Sequence, residues 1–292
     1  MLLRIIAIIF PIFAIVGVGY FYARYKKPDM AFANQLNMDV FVPALVFAAL
    51  ASRDFNLMAN WPLALGGIAV VLGSGLIAWP VAKLMKVDTR TLLPPMMFNN
   101  SGNMGLPLMV LAFGEQALPL AVVLFFVENT LHYSLGTWML DHHAKLWNLW
   151  RVPVIAAAIA GLAVSLLKIE LWSPLYIGIK MLGDVSIPLL LFSLGVRLTD
   201  SVAKDVKLGL VGAALCPLAG MALAWAIAPL LGLDAMQTGM LLIFGALPPA
   251  VLNYIFAEKY KQEPERVASI VMIGNTASLL FIPLALFFAL PR

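Results

Sequence analysis

Two stretches apolar enough to cross a bilayer are broken by helix-disrupting residues at matching places in the two halves of the chain. They are Pro94-Pro95-Met96-Met97-Phe98-Asn99-Asn100-Ser101-Gly102-Asn103-Met104-Gly105-Leu106-Pro107 and Pro248-Pro249-Ala250-Val251-Leu252-Asn253. An unpartnered backbone polar group in hydrocarbon is costly, so non-helical chain persists at that depth only where protein or a watery cavity receives it. Paired interruptions in corresponding segments point to a secondary transporter that binds its solute near the bilayer midplane.

The composition leaves few other classes. Of 292 residues, 62% are hydrophobic and 12% charged; with a mean hydropathy of +0.94, a soluble domain would lack polar residues to cover its surface. The apolar runs are long and lack the alternation of barrel strands, which are roughly 9 to 11 residues. An all-α membrane protein with ten transmembrane helices is expected, over 2–22, 31–51, 61–82, 91–112, 117–139, 152–168, 173–196, 207–231, 236–257 and 267–290. Most reach the roughly 20 residues that span a hydrocarbon core of about 30 Å. The sixth is short. The first runs through Gly17, Gly19 and Tyr20 into Arg24, Lys26 and Lys27 without a small-residue cleavage pattern, so it reads as a retained helix.

With the N-terminus outside, 14 of the 19 lysines and arginines fall in cytoplasmic loops, among them Arg24, Lys83, Lys86, Lys145, Lys204 and Lys259. Arg4, Arg53, Lys168, Lys180 and Arg292 stay outside. The positive-inside rule predicts an integral inner (plasma) membrane protein with both termini outside the cytoplasm. The net charge of +4 is thus a topology signal and no indication of nucleic-acid binding. Trp61, Trp147, Trp150 and Trp172 lie near span ends, where indole rings anchor at headgroup level.

The chain also repeats itself. Asp39-Val40-Phe41-Val42-Pro43-Ala44-Leu45-Val46-Phe47 aligns with Asp184-Val185-Ser186-Ile187-Pro188-Leu189-Leu190-Leu191-Phe192 at a displacement of 145. Trp79 matches Trp225, Asp88 matches Asp234 and Asn129-Thr130 match Asn275-Thr276, each displaced by 146, while Pro94-Pro95 with Asn99 match Pro248-Pro249 with Asn253 at 154. A duplicated five-helix unit follows: residues 1–140 form one repeat, 141–151 a cytoplasmic connector and 152–292 the second. An odd number of helices per unit inverts the second copy relative to the first.

The candidate chemistry gathers at the breaks. Asn99, Asn100, Ser101, Asn103, Asn253 and Tyr254 offer polar groups for a substrate, and amides in particular can donate to a carboxylate while carrying no charge. Pro95, Pro107, Pro248 and Pro249 interrupt the helices, and Gly102 and Gly105 allow close backbone approach. Helix N-termini at a break favour an anion by roughly 0.3 to 1 kcal/mol each, more when partly buried. Glu128 lies mid-span beside Asn129, with His132 one turn on and Asn275 the repeat partner of Asn129. An acid at that depth is costly and points to ion coupling, with a proton or sodium as the ion. The equivalent Asp39 and Asp184 lie nearer span ends and read as helix-bridging acids. No cofactor and no metal site is expected, since His142 and His143 are adjacent and lack the spacing of helix-borne ligands. An enzyme is disfavoured because Ser101 has no visible acid-base triad, and no nucleotide-binding glycine loop suggests an ATP-driven pump.

The run Asn99 to Leu108, with Ala246-Leu247-Pro248-Pro249-Ala250-Val251-Leu252-Asn253-Tyr254-Ile255-Phe256-Ala257-Glu258-Lys259-Tyr260, resembles the auxin efflux carrier family. That family includes plant PIN-type auxin exporters and bacterial permeases proposed for malate and malonate. The resemblance implies a fold similar to sodium/proton antiporters and bile-acid symporters, with broken fourth and ninth helices that cross. Spans one, two, six and seven would form a scaffold, which also suits a homodimer interface, and spans three to five and eight to ten a transport core. By the same resemblance Asn100 corresponds to the asparagine that helps hold the substrate carboxylate, whereas Asn253 stands where the PIN-type crossover carries proline. The expected activity is transport of a small organic anion, a carboxylate, by alternating access of a core that slides or rocks in elevator fashion. A sodium-coupled symporter similar to the bile-acid group and a non-transporting membrane receptor remain the alternatives.

Overall fold

The computed structural model describes residues 1–52, 57–143, 150–199 and 204–290. Arg53, Lys145, Trp147 and Arg292, which enter the charge and tryptophan arguments, lie outside the described residues. The described chain is helical, with one isolated backbone bridge between Asn99 and Pro249. In chain order the helices are α1 (Leu2–Lys26), α2 (Ala31–Leu50), α3 (Leu57–Met85), α4 (Thr89–Met97) and α5 (Ser101–Phe113). They continue as α6 (Glu115–Leu140), α7 (Pro153–Leu166), α8 (Ser173–Arg197) and α9 (Val206–Ile227). The last three are α10 (Ala235–Ala246), α11 (Val251–Lys259) and α12 (Pro264–Ala289).

Seven of these, α1, α2, α3, α6, α8, α9 and α12, are long and apolar enough to cross a membrane. Where spans four, six and nine were expected, the structure has shorter apolar helices, Ser101–Phe113, Pro153–Leu166 and Ala235–Ala246. Spans four and nine are each divided into two helices, α4 with α5 and α10 with α11. The cause is local. Asp88 accepts a hydrogen bond from Arg90 N and starts α4, and Asp234 forms a capping box with Gln237 and starts α10. Pro248 and Pro249 follow α10 and stop it, whereas α4 runs through Pro94 and Pro95 and ends only at Met97.

Prolines also explain the irregular turns within α2 and α8. Pro43 cannot donate to the carbonyl of Asp39, and α2 widens into a π-turn over Asn37–Phe41. Pro188 stands in the same relation to Asp184, where α8 breaks at Val185. Asp39 and Asp184 are exposed rather than buried, and Lys180 pairs with Asp184 at 3.0 Å.

The helices pack in two sets. Helices α1, α2, α7 and α8 associate with one another, and α3 to α6 pack with α9 to α12. Small residues permit the closest crossings, as is usual between membrane helices. A Cβ on Gly195 of α8 would lie 2.0 Å from the carbonyl oxygen of Val16 in α1, and one on Gly220 of α9 would lie 2.1 Å from that of Gly245 in α10. Large apolar side chains such as Leu3, Phe10, Leu76, Leu230 and Leu280 cover the outside. Asn99, Asn100, Ser101, Glu128, Asn129, His132, Asn253 and Asn275 are all buried. Polar groups inside and apolar groups outside are the arrangement a lipid solvent demands.

Candidate functional site

The two breaks meet and satisfy each other's backbone. Asn100 N donates to Pro248 O at 2.7 Å, and Ala250 N donates to Phe98 O at 3.0 Å. The chain thus solves the problem of exposed peptide groups by pairing one interruption with the other. Side chains reinforce the joint: Asn99 Nδ2 donates to Phe244 O at 2.6 Å and Asn253 Nδ2 to Phe98 O at 2.8 Å. Asn275 Nδ2 donates to Pro249 O at 3.0 Å, while its Oδ1 accepts from Asn100 Nδ2 at 3.1 Å. Gly105 serves close packing, since a Cβ there would lie 2.8 Å from Leu247 Cδ1. A Cβ on Gly102 would lie 2.9 Å from Phe125 Cε2.

Beside this joint lies a cleft of about 190 Å³. Asn99, Asn100, Gly102, Asn103, Glu128, Asn129 and His132 line one side, and Asn34, Asn37, Ser193 and Arg197 come from α2 and α8. Its volume is below the roughly 300 to 1,000 Å³ of drug-sized sites and suits a compact solute. A larger cavity of about 680 Å³ shares Arg197, Val251 and Ile255 with it and extends past Tyr254, Asn275, Lys204 and Glu265. Tyr254 therefore lines the larger cavity, with its hydroxyl 3.3 Å from Glu258 Oε1. Asn253 lies at the joint, and its donor group serves Phe98 O and Ala250 O.

Glu128 sits in the cleft wall among donors. Its Oε2 accepts from Ser101 Oγ at 2.8 Å and from Asn129 Nδ2 at 3.2 Å, and its Oε1 lies 3.3 Å from His132 Nδ1. The imidazole is held by stacking on Phe98, with centroids 4.2 Å apart and planes 8° from parallel, and by the edge of Phe256. Its Nε2 has no hydrogen-bond partner among the described residues. The structure keeps Glu128, Asn129 and His132 together and adds Ser101, which the sequence places with the substrate ligands, whereas Asn275 bonds to Asn100 and Pro249 O instead.

Three π-turns surround this one cleft: Asn37–Phe41 in α2, Ser101–Gly105 opening α5, and His132–Gly136 in α6. Such turns concentrate at functional sites because they redirect side chains and release backbone groups. The sequence reading missed Asn34, Asn37, Ser193 and Arg197. A polar residue six positions before an intrahelical proline, as Asn37 is before Pro43, was the available signal.

Comparison with known proteins decides the class. A family model described as membrane transport protein matches residues 4–149 and 142–286. The chain belongs to that family. It is the auxin efflux carrier family that the crossover motifs resemble. An uncharacterized transporter of Methanocaldococcus jannaschii is 23% identical, the alignment covering 92% of this chain and 94% of that protein. A protein of Rhizobium meliloti named "putative malonate transporter" is 22% identical, over 94% of this chain and 93% of its own length. The membrane transport assignment agrees with the apolar helices, and the protein is an integral membrane transporter.

Proposed function

We propose that the protein carries a small organic anion, a short carboxylate, by alternating access at the cleft beside the two breaks. The observation that carries this reading is the cleft itself: compact, lined by Asn99, Asn100, Asn103 and Asn129, and reached by the cation Arg197. Amides and a guanidinium suit a carboxylate. The name of the Rhizobium relative adds support for a short dicarboxylate.

In this reading the chain crosses the membrane ten times as two inverted halves, with both termini outside. The matched caps Asp88 and Asp234 and the joined breaks support it. Helices α1, α2, α7 and α8 act as the scaffold and the rest as the moving core, a division supported by their packing. The coupled ion is a proton, held at Glu128 and His132. Oε2 of Glu128 accepts from Ser101 and Asn129 while Oε1 lies free of a hydrogen bond beside the imidazole, a pair of groups between which a proton can pass.

The test is a thermal-shift screen of small carboxylates on the purified protein, in sodium and in potassium. A specific ligand stabilises the folded state by mass action. The expected result is a shift with short carboxylates that is the same in both salts. No shift with any carboxylate counts against the anion, and a shift confined to sodium counts against the proton.

A further inference from the structure

On the crossover side the protein engages the Nδ2 donors of Asn99, Asn100, Asn129 and Asn253, leaving acceptor atoms such as Asn99 Oδ1 and Glu128 Oε1 without a hydrogen bond among the described residues; on the opposite side donors are left over. Asn37 is completely buried, and neither its Nδ2 nor its Oδ1 has a partner among the described residues. Ser193, 4% exposed, likewise leaves its Oγ without one. Both line the cleft, Asn37 from the π-turn of α2 and Ser193 from α8, and these two segments pack against each other. Arg197, one helical turn after Ser193, lines the same cleft, across which Glu128 also lies. Buried polar groups are otherwise almost always hydrogen-bonded, because leaving them unpaired forfeits their hydration. Two such groups on one wall, facing amides on the other, form a site whose partner comes from outside the chain.

We propose that Asn37, Ser193 and Arg197 form a second anion subsite that holds the far carboxylate of a short dicarboxylate, whose near carboxylate binds at Asn100 and Asn103. Asn37 Nδ2 and Ser193 Oγ donate hydrogen bonds to the far carboxylate, and the guanidinium of Arg197 balances its charge. The cleft is compact, which suits a short diacid. This inference rests on the transport reading above. It adds that selectivity for diacids over monoacids resides in α2 and α8 and not in the broken helices.

The experiment measures binding of malonate and acetate by titration calorimetry to the detergent-purified full chain and to Asn37→Leu, Ser193→Ala and Asn100→Ala. The parent binds malonate more tightly than acetate by tenfold or more, as expected for about one charge-assisted hydrogen bond. Asn37→Leu and Ser193→Ala each lower malonate affinity by about tenfold and leave acetate unchanged, whereas Asn100→Ala weakens both. Thermal stability separates ligand from structural roles: because neither the Asn37 nor the Ser193 side chain hydrogen-bonds to another described residue, both variants melt at or above the parent temperature. If a variant unfolds, the role of that residue is structural and its assignment here is wrong, and the other variant still tests the subsite. Parent binding without a malonate preference, or a preference unchanged in both variants, overturns the subsite alone. Failure of the parent to bind any carboxylate overturns the transport reading and this inference together.

Discussion

The two broken segments share a backbone solution but differ in chemistry. The first brings Asn99, Asn100, Gly102 and Asn103 to the cleft, and its neighbour α6 adds Glu128, Asn129 and His132. The second brings Ala250, Val251, Leu252 and Ile255. The displacement of 146 that pairs Asn129 with Asn275 also pairs Glu128 with Gly274 and His132 with Ser278. At Gly274 a Cβ would lie 2.7 Å from Pro249 Cδ, so the second half has no room for the acid. The first half thus places the acid and the imidazole at the cleft, while the second contributes mainly apolar side chains there.

That asymmetry can be broken most severely at Glu128. Glu128→Gln keeps the shape and removes the titratable charge. Proton-driven accumulation in proteoliposomes should disappear while substrate exchange persists. An unchanged pH dependence of accumulation would show that the acid is not the coupling group.

The next contrast is between the two asparagines. Asn100→Ala should weaken carboxylate binding at least tenfold, as expected for loss of a charge-assisted hydrogen bond of about 1.5 to 3 kcal/mol. Asn253→Ala should lower stability by about 1 kcal/mol for each of its two backbone hydrogen bonds, with a smaller effect on affinity. Calorimetry and thermal melts on both variants check the division, and equal affinity losses would erase it.

Gly274→Ala probes the second half directly. The added methyl meets the Pro249 ring, and overpacking of this kind costs about 1 to 3 kcal/mol. A melt at the parent temperature would mean that the joint tolerates a side chain there.

The smallest effects belong to the loops. Asp88 is held below the usual carboxylate range mainly by its hydrogen bond with the Arg90 side chain, and Asp205 by the backbone N–H of Leu208 and then by Arg266. For groups with a lowered folded-state value, the stabilisation is complete above the ordinary value near 4 and is lost as pH falls through the depressed one. Asp205→Asn should therefore lose less stability than the parent between pH 5 and pH 3, read as the shift in melting temperature on acidification.

Much of this frame was legible because it is written in strong local signals. Proline pairs marked both breaks, and the matched Asp88 and Asp234 proved to be the caps that start the two divided spans. Glu128 was conspicuous as an acid in an apolar run. The partner wall of the cleft was not legible, since Asn37 and Ser193 resemble any polar residues in a membrane helix until packing leaves them unpaired. Asn253 looked like the counterpart of Asn99, but only the folded chain shows its amide directed to Phe98 O. The exposure of Asp39 and Asp184 likewise depends on which face each helix turns outward.

The central claim is that the cleft beside the first break is where substrate is carried. Counterflow of radiolabelled malonate into malonate-loaded proteoliposomes, with parent and Asn100→Ala protein side by side, tests it most directly. The account predicts rapid uptake by the parent and loss of most of it in the variant at equal reconstitution. Uptake by Asn100→Ala at the parent rate, or none by the parent with any short carboxylate, would contradict it.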